Sequence, residues 1–387
     1  MVPGWSDEQN RAFFGKESSG PFGHGHNFSA YFGFNGPVDE KTGMMINVTV
    51  IKERIKKVLD RRFDHKFLNA DTPPFDVLNP TAENLARQLL EEVKPLFAGE
   101  TAEPVVCHLE ESPGRAATAY ADGTVERHLH IDFSAARRTF SPHLTEAENQ
   151  ALFGIASSPS GHGHHYRLRV TLSGEPDLQH GTIFPEEEGK RVLRDLHVSL
   201  DHKNLTSDLP PFKTEPNTTE VLARYIYGQL AGKMPVSRVR LDENDHFFVE
   251  YTGERRTCMS VSSGFFAAHR LHSRLLSDSE NLAVYNICNN PGGHGHHYRV
   301  ECTIAGLLDE RSGTVYDLGK LSGIIGDVLE PWNYRHLDME TEAFRDKPST
   351  GENIVQALRD KLEHRLEPEL HRLRLWETAN NRFTLRR

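Results

Sequence analysis

The tetrapeptide Gly-His-Gly-His occurs three times in this chain, at residues 23–26, 161–164 and 293–296, each time followed two places later by an aromatic residue (Phe28, Tyr166, Tyr298). Its first histidine moves from position 24 to 162 to 294, steps of 138 and 132 in a chain of 387 residues. Other landmarks keep step with it. An Asp-His pair ends 41 residues on in the first unit (Asp64, His65) and 40 in the second (Asp201, His202), and the same 40 leads to Tyr334 in the third. A glutamate stands 18 residues beyond each of these points (Glu83, Glu220, Glu352). Such agreement identifies a tandem triplication, so one fold has to satisfy all three segments. The units are assigned to residues 1–125, 126–255 and 256–387, each long enough for a core of its own.

Within the third unit, Met259 to Ala268 reads as a strand, Cys288 to Gly293 as a polar loop, and His296 to Ile304 as an alternating, half-buried strand. Leu318 to Leu329 and Glu352 to Leu362 carry helical spacing, and Arg372 to Trp376 with Arg382 to Leu385 close the unit as strands. The second unit repeats this order, with strands at 130–135, 165–172 and within 239–251 and helices at 191–199 and 219–230. The first keeps the strand at 26–34, helices at 48–59 and 83–93, and strands within 105–120. Before its motif only a short polar leader remains, so its first strand is expected to be lost. The expected unit is α+β: an antiparallel four-stranded sheet with two helices on one face. Joining three such sheets edge to edge would hide their open edges in a barrel with the helices outside.

A net charge of −10 argues against nucleic acid as a partner. The N-terminus has neither a basic start nor an apolar run, and no segment is apolar enough to span a bilayer, so neither a secretory signal nor a membrane is expected. Cys107, Cys258, Cys288 and Cys302 are scattered and not repeated between units, which suits a reducing cytoplasm better than a disulfide framework.

Histidines at i and i+2 of a strand point to one face, so His294 and His296 can converge on an ion. His269, at the end of the preceding strand, offers a third imidazole. Three neutral imidazoles suit Zn²⁺ and leave a position for substrate or water. In unit 2 Arg137 stands where His269 does, and a guanidinium is no ligand. The strand that would carry the counterpart in unit 1 is missing. His24/His26 and His162/His164 are therefore expected to be empty scaffold.

The third unit's Phe266-Ala267-Ala268-His269-Arg270-Leu271, Leu276-Ser277-Asp278-Ser279-Glu280-Asn281-Leu282 and Cys288-Asn289-Asn290-Pro291-Gly292-Gly293-His294-Gly295-His296-His297-Tyr298 resemble the 6-pyruvoyltetrahydropterin synthase family. Leu200-Asp201-His202-Lys203-Asn204-Leu205 and Phe63-Asp64-His65-Lys66-Phe67-Leu68-Asn69 resemble its Asp-His motif. The resemblance implies the tunnelling fold, in which three units make a barrel and two barrels stack; here a homodimer of pseudo-trimers would do so. It implies 7,8-dihydroneopterin triphosphate as substrate, with zinc polarising the side-chain hydroxyls, Cys288 as the thiolate base and an Asp-His pair as proton relay. It also implies that Glu377, with Glu243 and Glu111 at the same place in the other units, pairs with the amino-pyrimidine edge of the pterin. Glu352, after Thr350 and Gly351, can be read as a further substrate contact or as a helix N-terminal acid.

The units depart from that pattern differently. Unit 3 has the three histidines and Cys288 but reads Asn333-Tyr334 in place of Asp-His. Unit 2 has Asp201-His202 but Arg137 and Ala156 instead of the histidine and the cysteine. Unit 1 has Asp64-His65 and offers Glu17 near the cysteine position. One composite site per chain is expected, with zinc and Cys288 from unit 3 and the Asp-His pair from a neighbouring unit. The six-residue spacing from Cys288 to His294 resembles the pyruvoyl-forming type. The alternatives are the related 6-carboxytetrahydropterin synthases of queuosine biosynthesis, with a shorter loop, and an inactive pterin-binding scaffold.

Overall fold

Eleven strands follow one another along a single path in a computed structural model, which describes residues 1–387 apart from 3, 17, 19, 21 and 113. Unit 1 supplies β1 (Ser29–Asn35), β2 (Glu103–Ser112) and β3 (Arg115–Tyr120). Unit 2 supplies β4 (Val125–Arg137), β5 (His162–Ser173), β6 (Val236–Asp242) and β7 (Phe247–Tyr251). Unit 3 supplies β8 (Arg256–His269), β9 (His294–Leu307), β10 (Glu369–Thr378) and β11 (Asn381–Arg386). Each pairs antiparallel with the next, so that β3–β4 and β7–β8 join the units edge to edge. Two two-residue strands, Lys203–Asn204 and Arg335–His336, add in parallel to β4 and β8.

The expected closed barrel is not formed: β1 and β11 are edges of an open sheet. The physical reason is the strand count. Units 2 and 3 each contribute four strands, whereas unit 1 contributes three among the described residues, and its counterpart of β4 and β8 is the one that would lie between β11 and β1.

Helices α1 (Asp7–Phe14), α2 (Val48–Arg62), α3 (Ala82–Val93), α4 (Glu146–Phe153), α5 (Glu186–Leu200), α6 (Thr219–Leu230), α7 (Asp278–Tyr285), α8 (Leu318–Leu329) and α9 (Gly351–Glu363) complete the units. None is long and apolar enough to cross a membrane. In α8, Leu321, Ile325, Val328 and Leu329 are buried at helical spacing, the stripe that packs on a sheet. The core forms there: Tyr166, Leu168, Val170 and Leu172 of β5 alternate inward and meet Val192, Leu196, Leu222 and Ile226 of α5 and α6. Each such side chain contributes about 1.5–3 kcal/mol by leaving water. The sheet's other face carries ion pairs, among them Arg238–Glu126, Arg372–Glu250 and Arg374–Glu301.

The short helices α1, α4 and α7 are not among the expected elements: α1 lies in the polar leader of unit 1, and α4 and α7 lie between the expected strands of units 2 and 3. Local chemistry makes them. Ser6, Thr145 and Ser277 each form a capping box with Gln9, Glu148 and Glu280, satisfying N–H groups that the first turn leaves free. An asparagine four residues past each cap then ties the helix to the preceding segment. Asn281 accepts from the Ser273 amide at 2.7 Å, Asn149 from Ser141 at 2.8 Å and Asn10 from Val2 at 2.7 Å.

Although the sheet is open, the units contact one another in a cycle. Thr350 Oγ1 of unit 3 donates to the Gly43 carbonyl of unit 1 at 2.6 Å, and Glu352 Oε1 accepts the Met45 amide at 3.0 Å. Thr218 and Glu220 of unit 2 hold Gly313 and Val315 of unit 3 in the same way, at 2.7 and 3.4 Å. Thr81 and Glu83 of unit 1 hold Gly181 and Ile183 of unit 2, at 2.5 and 3.3 Å. The three glycines have φ of +67°, +73° and +79°, and a Cβ on any of them would fall within 2.6 Å of a neighbouring atom. Only glycine meets both conditions. Glu352, whose role the sequence left open, is thus a contact between units 3 and 1.

Candidate metal centre

β8 and β9 run antiparallel in a register that sets His269 directly opposite His294 and His296 opposite Ala267. One nitrogen from each of the three imidazoles then lies within 4.8 Å of the others, and among the described residues this is the single cluster of three or more potential ligands able to hold an ion. His269 Nε2 and His294 Nε2 are 3.1 Å apart. His269 is fully buried, and its Nδ1 lies 3.0 Å from the Ser349 carbonyl, which can only accept. Nδ1 therefore carries the proton, and the Nε2 lone pair faces the cluster. Ser349 Oγ donates to Asp338 Oδ2 at 2.9 Å, and the same oxygen accepts the Arg270 amide at 2.8 Å, so the ring's orientation is fixed from behind.

Burial pushes the His269 pKa down to about 4 and lowers that of His296 against the pull of Glu377. Both imidazoles are therefore held in the neutral form that ligates metals. Glu377 Oε1 lies 3.7 Å from His269 Nε2 and 3.9 Å from His296 Nε2. His296 Nε2 is buried with no hydrogen-bond partner. Converging lone pairs, an unpartnered ring nitrogen and a nearby carboxylate fit a divalent cation of the zinc type.

Cys288 sits half-buried in the turn after α7, anchored by its carbonyl to the Leu271 amide at 2.9 Å. Burial, and after it the negative charge of Glu377, push its thiol pKa up, so the protein groups around the sulfur favour the thiol form. Beside the histidines, Phe266, Ala268, His296, Tyr334 and His336 line a pocket of about 580 Å³.

The Asp-His pairs lie elsewhere. His202 Nδ1 bonds Asp201 Oδ2 at 2.6 Å, while Asp201 Oδ1 accepts the Ser134 amide of β4 at 2.8 Å and the His202 amide donates to the Ser134 carbonyl at 2.7 Å. The pair thus stays with the β4 strand of its own unit. In unit 3, Asn333 Oδ1 and the Tyr334 amide bond the two backbone groups of Phe266 identically, at 3.0 and 2.6 Å. His65, His202 and Tyr334 share a left-handed φ of 55–57°. Asp64 and His65, 3.0 Å apart, follow the C-terminal end of α2, whose N-terminal end adjoins the loop on unit 3. A helix of 15 residues separates the two ends by about 20 Å. Among the described residues, no hydrogen bond or ion pair joins either Asp-His pair to the unit 3 cluster. The side chains of His65 and His202 are 92% and 84% exposed. Unit 1 instead contributes Gly43 to Met45 beside Glu352.

Units 1 and 2 keep remnants of the centre. His26 Nε2 lies 3.3 Å from Glu111, and His164 Nε2 lies 3.3 Å from Glu243. Arg137 is opposite His162, the place His269 has opposite His294, and its Nη2 donates to Glu243 at 2.5 Å and to Thr219 at 2.9 Å. Glu243 is therefore already paired with an arginine, whereas among the described residues Glu377 has ion-pair contacts to His269 and His296 alone. Ala156 takes the turn position of Cys288, its carbonyl bonding the Thr139 amide at 3.0 Å. Glu17, expected near that position in unit 1, lies outside the described residues.

A family model described as 6-pyruvoyl tetrahydropterin synthase matches residues 8–122, 127–254 and 258–387. The human 6-pyruvoyl tetrahydrobiopterin synthase is 39% identical over 133 residues, covering 33% of this chain and 92% of the human protein. The Drosophila melanogaster protein of that name is 41% identical over 125 residues, 32% of this chain and 74% of its own length. A solved Caenorhabditis elegans 6-pyruvoyl tetrahydropterin synthase is similar at 38% identity, covering 34% of this chain and 95% of that one, with a TM-score of 0.33.

Proposed function

Because the chain belongs to the 6-pyruvoyl tetrahydropterin synthase family through all three units, we propose that it is a zinc-dependent lyase with one working centre, in unit 3. The substrate in this reading is 7,8-dihydroneopterin triphosphate and the product 6-pyruvoyltetrahydropterin. The observation that carries it is the convergence of His269, His294 and His296 next to Glu377.

In this reading His269, His294 and His296 hold the ion, which when bound supplies a Lewis acid for the substrate's side-chain hydroxyls. Glu377 accepts hydrogen bonds from the amino-pyrimidine edge, and the unit 1 loop held by Glu352 closes that side of the site. Cys288 takes the proton from the side-chain carbon as the C–O bond to triphosphate breaks, the electron pair leaving with the triphosphate. Its raised pKa means that it needs a positive charge beside it to ionise near neutral pH. An exposed Asp-His pair of a second copy, Asp64-His65 or Asp201-His202, returns protons during tautomerisation, so the working form is a homodimer of stacked pseudo-trimers in the cytoplasm. The exposure of His65 and His202 supports that arrangement.

Incubation with dihydroneopterin triphosphate tests this. Triphosphate release with a pyruvoyl product is expected. Acetaldehyde release would point to side-chain cleavage of the 6-carboxytetrahydropterin type. Binding without turnover would favour a pterin-binding scaffold, a reading motivated by Asn333 and Tyr334 in place of the Asp-His pair.

A further inference from the structure

Unit 2 reproduces the surroundings of the unit 3 cluster almost group by group. β4 and β5 hold Arg137 opposite His162 and His164 opposite Ala135, as β8 and β9 hold His269 opposite His294 and His296 opposite Ala267. Rings 162 and 164 are 4.8 Å apart, against 4.9 Å for rings 294 and 296. Glu243 faces His164 as Glu377 faces His296. Behind the strand, Thr206 Oγ1 accepts the Arg138 amide at 2.9 Å, as Asp338 accepts that of Arg270. Tyr166 and Tyr298 are fully buried under the second histidine, stacked at 4.9 Å on Phe133 and Phe265.

Among the positions that face the two histidines of the motif, the decisive difference is Arg137 in place of His269. The guanidinium of Arg137 is 2% exposed and bonded to Glu243 and Thr219. Its Nε and Nη1, His162 Nδ1 and His164 Nε2 are buried without hydrogen-bond partners in the described structure. A positive charge is thus supplied where unit 3 presents converging imidazoles, and Glu243 is neutralised by a side chain instead of facing an open cluster. A bonded, buried cation beside His162 and His164 repels a second cation from the same space.

We propose that Arg137 is a tethered substitute for a metal ion, and that unit 2 holds a latent divalent-metal site of the zinc type which this one side chain keeps closed. Unit 2 therefore assembles without metal, and the chain takes up fewer ions than its repeats suggest. The inference rests on reading the unit 3 cluster as a metal centre, since the geometry of the latent site is taken from it.

The test compares zinc per chain, by mass spectrometry after loading and desalting, in the full-length wild type, R137H, and R137H combined with H162A. R137H is expected to bind one ion more than wild type, and H162A to remove that extra ion. Cobalt loading should add a second set of visible absorption bands in R137H. The melting temperature of R137H should fall on chelation by more than that of wild type. A folded R137H with wild-type zinc content overturns the proposal. So does an R137H chain that is unfolded and not rescued by zinc. In the wild-type background, H162A/H164A should leave the zinc content unchanged; a loss there also overturns it. The two readings fail separately. Wild type without zinc and R137H with one ion would remove the proposed unit 3 centre yet support the latent site, whereas zinc lost on H269A without a gain on R137H would do the reverse.

Discussion

Units 2 and 3 share strand register, backbone turns and most of the groups around the Gly-His-Gly-His motif, yet they present opposite chemistry. In unit 3 three imidazoles converge, and among the described residues no Lys or Arg pairs with Glu377. In unit 2 an arginine fills the centre and Glu243 is bound to it. The scaffold around the motif is thus the same where arginine replaces the third histidine, because the strand pairing and the buried tyrosines are the same in both units. Architecture and chemistry in this triplicated chain are separable at single residues.

Mutations can break that comparison, and the largest effect is expected at the ligands themselves. H294A should abolish triphosphate release in unit 3, while H162A should leave it near wild type; equal losses would mean that both units work. Next, C288A should lower kcat by about 10²–10⁴-fold, the range for a lost general base, with zinc content retained, as a steady-state assay beside metal analysis would read.

Stability separates the units further. R137A leaves Glu243 buried without its counter-charge and should cost about 3–5 kcal/mol in denaturant unfolding. Removing Glu243 as well, in R137A/E243Q, should recover part of that loss.

A smaller effect comes from Glu220, whose carboxyl burial pushes up to about 7 from the ordinary 4.5. Between these values the folded chain binds more protons than the unfolded one, so this group's stabilisation is full below pH 4.5 and is lost as pH rises through 7. E220Q, which keeps an acceptor for the Val315 amide, should flatten that decline by up to about 3 kcal/mol at pH 8. A pH profile unchanged by E220Q would contradict it. The smallest change is expected for T350V, which removes a helix cap and the bond to Gly43 and should cost about 1–2 kcal/mol.

The sequence made the centre legible because strand geometry is short-range. His294 and His296 share a face by the two-residue period, and an antiparallel neighbour ending in His269 had to meet them. The triplication was equally plain from spacing. The short helices escaped notice because their stability comes from capping boxes and the Asn10, Asn149 and Asn281 side chains, not from an apolar stripe. The contact from Glu352 to Met45 spans 307 positions and ends on a backbone amide, which carries no residue signature. Arg137 read as a lost ligand; that it pairs with Glu243 could be seen only once β4, β5 and β6 were in register. Asp64-His65 and Asp201-His202 are legible as motifs, but which surface they face depends on contacts between units that the sequence does not encode locally.

The central claim, a single metal centre in unit 3, is tested most directly by zinc content of the purified wild-type chain measured beside H269A. One ion per chain in wild type and none in H269A is the predicted result. Two or three ions in wild type, or a content unchanged by H269A, would contradict the account.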